Sequence, residues 1–203
     1  MQGGVQRVSK IGIMGGTFDP IHIGHLIAAE TAREQCDLHE VWFIPSYGPP
    51  LKANEPGVSG ERRYEMVCEA IQSNSAFRAL DIELLRGGVS YSYDTVRELQ
   101  QRNPYDSFSY IIGSDRINDL PQWYEIEQLA SRISFIGLER PGDPVNLAAL
   151  PVYLQERINL IHMPAIDISS TEIRSRRNAG HTVQYLVPDS VNSYMRRYKL
   201  YES

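Results

Sequence analysis

Cysteine is nearly absent from this chain: its 203 residues include two, Cys36 and Cys68. Both lie in stretches of helical periodicity, with no CxxC pair and no Cys/His ligand spacing, so neither a disulfide framework nor a cysteine zinc site is available. Both thiols are expected to be reduced, in the core or half-buried, as in a cytoplasmic protein. Long apolar runs are absent too. No stretch approaches the roughly 18 consecutive apolar residues of a membrane span, and the first seven residues lack the apolar run of a secretory signal. An unanchored cytoplasmic protein is expected. Positive charge is not in surplus: 20 Lys and Arg face 25 Asp and Glu, a net charge of −5, which leaves no basic field to hold long nucleic acid. A local anion pocket is compatible with that sum. Fixed-period repeats and Ser/Gly-rich or charged linkers are also missing.

What remains is an ordinary globular composition, 42% hydrophobic and 22% charged, on a chain long enough for one domain with a real core. Residues 1–10 read as a disordered extension and residues 11–203 as a single domain, with a C-terminal helical part over 169–203. Short apolar runs recur at Ile11–Met14, Val41–Ile44, Ser109–Ile112, Ile133–Leu138 and Ile158–Met163, each too short for a helix. Between them stand segments of helical period. Gly24–Cys36 turns Leu26, Ile27 and Thr31 to one face, Glu61–Gln72 does the same with Tyr64, Val67, Cys68 and Ile71, and Thr95–Gln101 follows. Runs apolar on both faces that alternate with amphipathic helices describe an α/β fold, a mostly parallel sheet with helices on both faces. Ligands of such sheets bind beyond the carboxyl ends of the strands. The residues after Ile13, Ile44 and Ile112 therefore carry the most information.

The first run ends in Gly15-Gly16-Thr17-Phe18-Asp19-Pro20-Ile21-His22-Ile23-Gly24-His25 and then enters a helix. Glycines directly after a strand let the backbone approach a ligand, and the helix N-terminus adds partial positive charge, so phosphate is the obvious partner. The spacing is neither GxGxxG nor GxxxxGK[ST], which excludes a dinucleotide cradle and a P-loop. His22 and His25, three apart, fall on one side of the helix and could stabilise charge as pyrophosphate leaves. No HExxH, cysteine or carboxylate completes a metal set around them. A second element, Ile168-Ser169-Ser170-Thr171-Glu172-Ile173-Arg174, has the S-x-x-E spacing of a capping box and an Arg in its early turns. Alone it reads as a capped helix with a surface Arg. Beside the first element it reads as a second anion site.

Together these residues resemble the nucleotidyltransferase superfamily that uses HxGH and ISSTxxR elements on a Rossmann-like sheet. Over nearly the full length the chain resembles the bacterial nicotinate-nucleotide adenylyltransferases. Further matches are Pro45–Lys52, Ser90–Thr95, Ile111–Asp115, Leu120–Tyr124, Arg140-Pro141-Gly142 and the stretch from Tyr185 to Tyr201. The resemblance implies transfer of AMP from ATP to nicotinate mononucleotide, giving deamido-NAD and pyrophosphate, by direct in-line attack and without a covalent enzyme intermediate.

By the same resemblance, ATP would meet Gly15, Gly16, Thr17, Phe18, His22, His25, Gly113, Asp115, Ile168, Ser169, Ser170, Thr171 and Arg174, with Asp115 on the ribose. Nicotinate mononucleotide would meet Gly16, Thr17, Lys52, Tyr91, Ser92, Trp123, Tyr124 and Arg140. Trp123 and Tyr124 would stack on the ring, and the backbone amides of Ser92 and Tyr124 would face the carboxylate. His22, His25, Lys52 and Arg174 would carry the catalytic charge. Mg²⁺ would bridge the phosphates without a dedicated protein ligand set. The partners implied are these small molecules, with no nucleic acid and no membrane, and self-association is left open. The chain departs from the family at Leu51, where the loop usually reads Pro-Pro-His-Lys; this shifts weight onto Lys52.

Three rivals stand against this expectation. Another adenylyltransferase would take pantetheine phosphate or nicotinamide mononucleotide as acceptor, but the Trp123-Tyr124 segment and the chain length favour a pyridine nucleotide. A class I aminoacyl-tRNA synthetase shares the HxGH string, yet needs a Lys-rich signature and a tRNA-binding appendage. A nucleotide sensor on the same fold could dispense with His25 or Arg174, and both are present.

Overall fold

The computed structural model describes residues 8–48, 56–139 and 145–202. In chain order the elements are β1 (Lys10–Gly16), α1 (Ile23–Gln35), β2 (Glu40–Pro45), α2 (Gly60–Ile71), β3 (Phe77–Ala79), α3 (Ile82–Arg86), α4 (Ser92–Arg102), β4 (Ser107–Gly113), α5 (Ser114–Ile117), α6 (Ile126–Arg132), β5 (Ser134–Glu139), α7 (Val152–Gln155), β6 (Ile158–His162), α8 (Ser170–Asn178) and α9 (Asp189–Arg197). The strands form one parallel sheet in the order β3-β2-β1-β4-β5-β6. The order reverses between β1 and β4, which is where a sheet of this kind opens a ligand crevice.

Strand period decides which side each residue serves. On one face Met14, Val41, Phe43, Ile111, Ile136 and Leu138 pack with α1, α2, α8 and α9. On the other, Ile11, Ile13, Trp42, Ile44, Tyr110, Ile112 and Phe135 pack with α3 to α7. Each large apolar side chain so buried contributes roughly 1.5–3 kcal/mol. No helix among the described residues is long and apolar enough to cross a membrane.

The structure differs from the sequence expectation in four places. The boundary set at residue 10 falls inside the fold: Lys10 opens β1, its N–H donates to His39 Nδ1 at 2.9 Å, and the Ser9 carbonyl accepts from Ser107 N–H. Helix α1 buries Ala28, Ala29 and Ala32 rather than Leu26, Ile27 and Thr31, because small side chains let the helix lie close on the sheet. Helix α2 buries Arg63, Met66, Val67, Ala70 and Ile71, while Tyr64 and Cys68 are half-buried. Strand β3 has no counterpart among the apolar runs, being three residues long with Arg78 at its centre. Cys36 and Cys68 are both half-buried free thiols.

Candidate active site

The carboxyl ends of β1 and β4 open into a cleft of about 1020 Å³. Its first wall is the β1–α1 loop. Gly15 is a glycine for want of space, since any Cβ there would overlap the Tyr110 hydroxyl. Phe18 takes a left-handed backbone, φ 49°, at a cost of about 1 kcal/mol. Its buried ring repays this against Phe43, at 5.9 Å, and edge-on to His25, at 5.1 Å. Only the backbone of Phe18 is therefore available to a ligand. His22 caps α1, and its ring stacks on that of His25 at 3.7 Å and 25°. The His22 N–H donates to His25 Nδ1 at 3.2 Å, which fixes the neutral tautomer of His25 with its proton on Nε2.

The second wall is the start of α8, and here the expected hydroxyls are engaged within the fold. Ser169 Oγ accepts from Glu172 N–H at 3.1 Å as the N-cap. Ser170 Oγ donates to the Pro20 carbonyl at 2.8 Å, bolting α8 to the β1–α1 loop. Thr171 Oγ1 accepts from Arg174 Nη2 at 3.4 Å, and Arg174 Nη1 donates to the Asp19 carbonyl at 2.8 Å. What α8 presents to the cleft is its N-terminal turn and the Arg174 charge. Gly113 and Asp115 stand at the mouth, the Asp115 carboxylate lying so close over Gly113 that a Cβ there would meet it at 2.5 Å.

The opposite end is aromatic. Tyr91 and Tyr124 lie 4.5 Å apart, with Tyr124 49% exposed. Trp123 leaves a short 3-10 turn over Leu120–Gln122 and packs edge-on against Tyr110 at 5.5 Å. Its indole Nε1 is buried without a hydrogen-bond partner among the described residues. Helix α4 starts at this wall with no side-chain cap on its N-cap Tyr91, so its first-turn N–H groups are left to water or a ligand. Beneath lies Glu83, 4% exposed, its Oε1 accepting from Thr95 Oγ1 at 2.6 Å. Burial pushes the Glu83 carboxyl up from its ordinary value, and hydrogen bonds from Thr95 and Ser90 with the Arg86 charge work against that rise. Burial likewise pushes the Tyr110 hydroxyl well up, opposed by its hydrogen bond with Ser92.

Every described residue singled out from the sequence lines this one cleft. Lys52, its neighbour Leu51 and Arg140 lie outside the described residues. Sequence reasoning missed Asp19, Arg63, Glu83 and Tyr201. Asp19 was in plain view between Phe18 and Pro20, but its partners are remote: Gly57 N–H, Tyr201 Oη and Arg174. Arg63 is 1% exposed and donates from Nη1 to the Thr17 carbonyl at 2.6 Å; burial lowers its pKa, against the pull of Asp19. Nothing in a charged helix segment marks one Arg for burial.

Residues 13–176, which carry this sheet and its switch-point cleft, match the family model described as cytidylyltransferase-like, and the chain is a nucleotidyltransferase. The nicotinate-nucleotide adenylyltransferase of Bacillus subtilis is 43% identical over 196 residues, covering 97% of this chain and 100% of that protein. The solved Plasmodium falciparum nicotinic acid mononucleotide adenylyltransferase, complexed with NaAD, superposes with a TM-score of 0.78 at 24% identity, covering 95% of this chain and 97% of that one; at that identity the likeness speaks to the fold. The chain belongs to the nicotinate-nucleotide adenylyltransferase family, enzymes of NAD biosynthesis that act by adenylyl transfer.

Proposed function

We propose that this enzyme transfers AMP from ATP to nicotinate mononucleotide, releasing deamido-NAD and pyrophosphate, in the cytoplasm. The observation that carries this is one cleft with two chemically different ends. Donors and positive charge from His22, His25, the α8 N-terminus and Arg174 gather at one end, and Tyr91, Trp123 and Tyr124 at the other. The triphosphate lies along the first end, with the Gly16–Phe18 backbone beneath it and the ribose toward Asp115. The pyridine ring lies at the second, its carboxylate toward the uncapped start of α4. Held so, the acceptor's 5′-phosphate oxygen attacks the α-phosphorus of ATP from the side opposite pyrophosphate. The new P–O bond forms as the bond to pyrophosphate breaks, and the charge that builds on the leaving group is met by His22, His25 and Arg174.

Among the described residues, the groups at the phosphate end are cations and N–H donors rather than carboxylates, and the buried Asp19 is engaged by Gly57, Tyr201 and Arg174. That donor set suits Mg²⁺ carried in by the ATP phosphates, where it would offset their charge, over an ion held by protein ligands. The family resemblance assigns Lys52 and Arg140 to the acceptor as well; both lie outside the described residues.

The test is pyrophosphate release with ATP and Mg²⁺ and, in turn, nicotinate mononucleotide, nicotinamide mononucleotide and pantetheine phosphate. Release is expected with the first and weakly or not at all with the others. No release with the first overturns the assignment.

A further inference from the structure

Asp19 is 4% exposed, and its carboxylate gathers three remote parts of the chain. Oδ2 accepts from Gly57 N–H at 2.7 Å and lies 3.7 Å from Arg174 Nη1. Oδ1 accepts from the Tyr201 hydroxyl at 2.6 Å. A Cβ on Gly57 would meet the Tyr201 ring at 3.3 Å and Arg174 Cδ at 3.4 Å, so the three groups crowd around one stretch of backbone. Burial, and then the bond to Asp19, push the Tyr201 hydroxyl far above the ordinary tyrosine value, which keeps it a donor at any working pH. Arg63, a second cation beside Asp19, is tethered through Nη1 to the Thr17 carbonyl at 2.6 Å.

This arrangement has an electrostatic consequence. Two neutral donors satisfy the Asp19 oxygens, so Arg174 is held at 3.7 Å rather than in a tight ion pair, with its backbone-carbonyl bond setting the direction of the guanidinium. If the Tyr201 hydroxyl is removed, Oδ1 is left buried and unsatisfied. Arg174, 3.7 Å from the carboxylate, is a donor able to answer it, and a guanidinium drawn onto Asp19 is withdrawn from the cleft.

We propose that Tyr201, in the segment after α9, is a positioning residue for the reaction: by saturating Asp19 it keeps Arg174 turned to the ATP phosphates. The inference rests on the reading of Arg174 as a ligand of the triphosphate.

The test is steady-state pyrophosphate release by the full chain as wild type, Arg174→Ala, Tyr201→Phe and the double variant, titrating ATP and nicotinate mononucleotide separately. Tyr201→Phe is expected to raise KM for ATP about three- to tenfold while KM for the acceptor moves less than about twofold. The double variant is expected to match Arg174→Ala alone, since the hydroxyl has nothing to position once the guanidinium is gone. An unchanged KM for ATP in Tyr201→Phe, or losses that multiply in the double variant, overturns the proposal. If Arg174→Ala itself leaves KM for ATP unchanged, the reading of Arg174 fails, and this inference with it. Should Tyr201→Phe not fold, Gly57→Ala decides: it crowds the Tyr201 ring and Arg174 without deleting a hydrogen bond, and is expected to raise KM for ATP in the same direction, an unchanged value again counting against the proposal.

Discussion

The two ends of the cleft are built differently. At the phosphate end several polar groups are engaged by other parts of the fold. Ser169 caps α8 while Ser170 ties it to Pro20, His25 is fixed by the His22 N–H, and Arg174 donates to the Asp19 carbonyl with the Asp19 carboxylate 3.7 Å away. The aromatic end is loosely held by comparison: Tyr124 is 49% exposed, and Trp123 keeps a buried indole N–H without a partner among the described residues. On the function proposed above, this difference is a division of labour. Charge stabilisation in a transition state demands groups that need no reorganisation, whereas a flat apolar ring is recognised by area and stacking, which tolerate movement.

The largest expected effect probes the rigid end. His25→Ala should lower kcat about 10²- to 10³-fold, the scale of losing one preorganised hydrogen-bond donor, with KM for the acceptor nearly unchanged. Steady-state kinetics in both substrates check this, and equal losses in kcat and acceptor affinity would break the comparison. At the aromatic end Trp123→Ala should do the reverse, raising KM for nicotinate mononucleotide roughly tenfold, about 1.4 kcal/mol of stacking and buried area, with kcat within a few-fold.

Glu83 gives the smallest effect. Its carboxyl is raised by burial from an ordinary value of 4.5, so the folded state holds this proton more tightly than the unfolded chain does. The group therefore costs stability as pH rises from that value through the folded-state one. Glu83→Gln removes the cost, and the variant should gain on wild type in denaturant unfolding as pH is raised from 4 toward 7. A difference that stays flat with pH would mean that Glu83 ionises as freely in the fold as outside it.

How much of this was legible in the sequence depends on where the partners lie. The β1–α1 loop was readable because its chemistry is contiguous: strand, glycines and both histidines fall within residues 10–25. Helix α8 announced itself through Ser169 and Glu172, yet that spacing was silent on Ser170 reaching Pro20, 150 residues away in sequence. The Asp19 cluster was invisible for the same reason, since its bond to Tyr201 spans 182 residues. Five of the strands showed as apolar runs, whereas β3 offers only Phe77 and Ala79 around an Arg. The buried face of α1 was misjudged because alanines carry little weight in a hydrophobic pattern, although close packing on a sheet selects them.

The central claim is that the two ends act separately on one reaction. The most direct test is a double-variant cycle, measuring kcat and both KM values for His25→Ala, Trp123→Ala and the two combined. The losses are expected to multiply, the combined variant carrying the kcat of the first and the acceptor KM of the second. A combined loss well short of that product, or a Trp123→Ala defect expressed mainly in kcat, would contradict it.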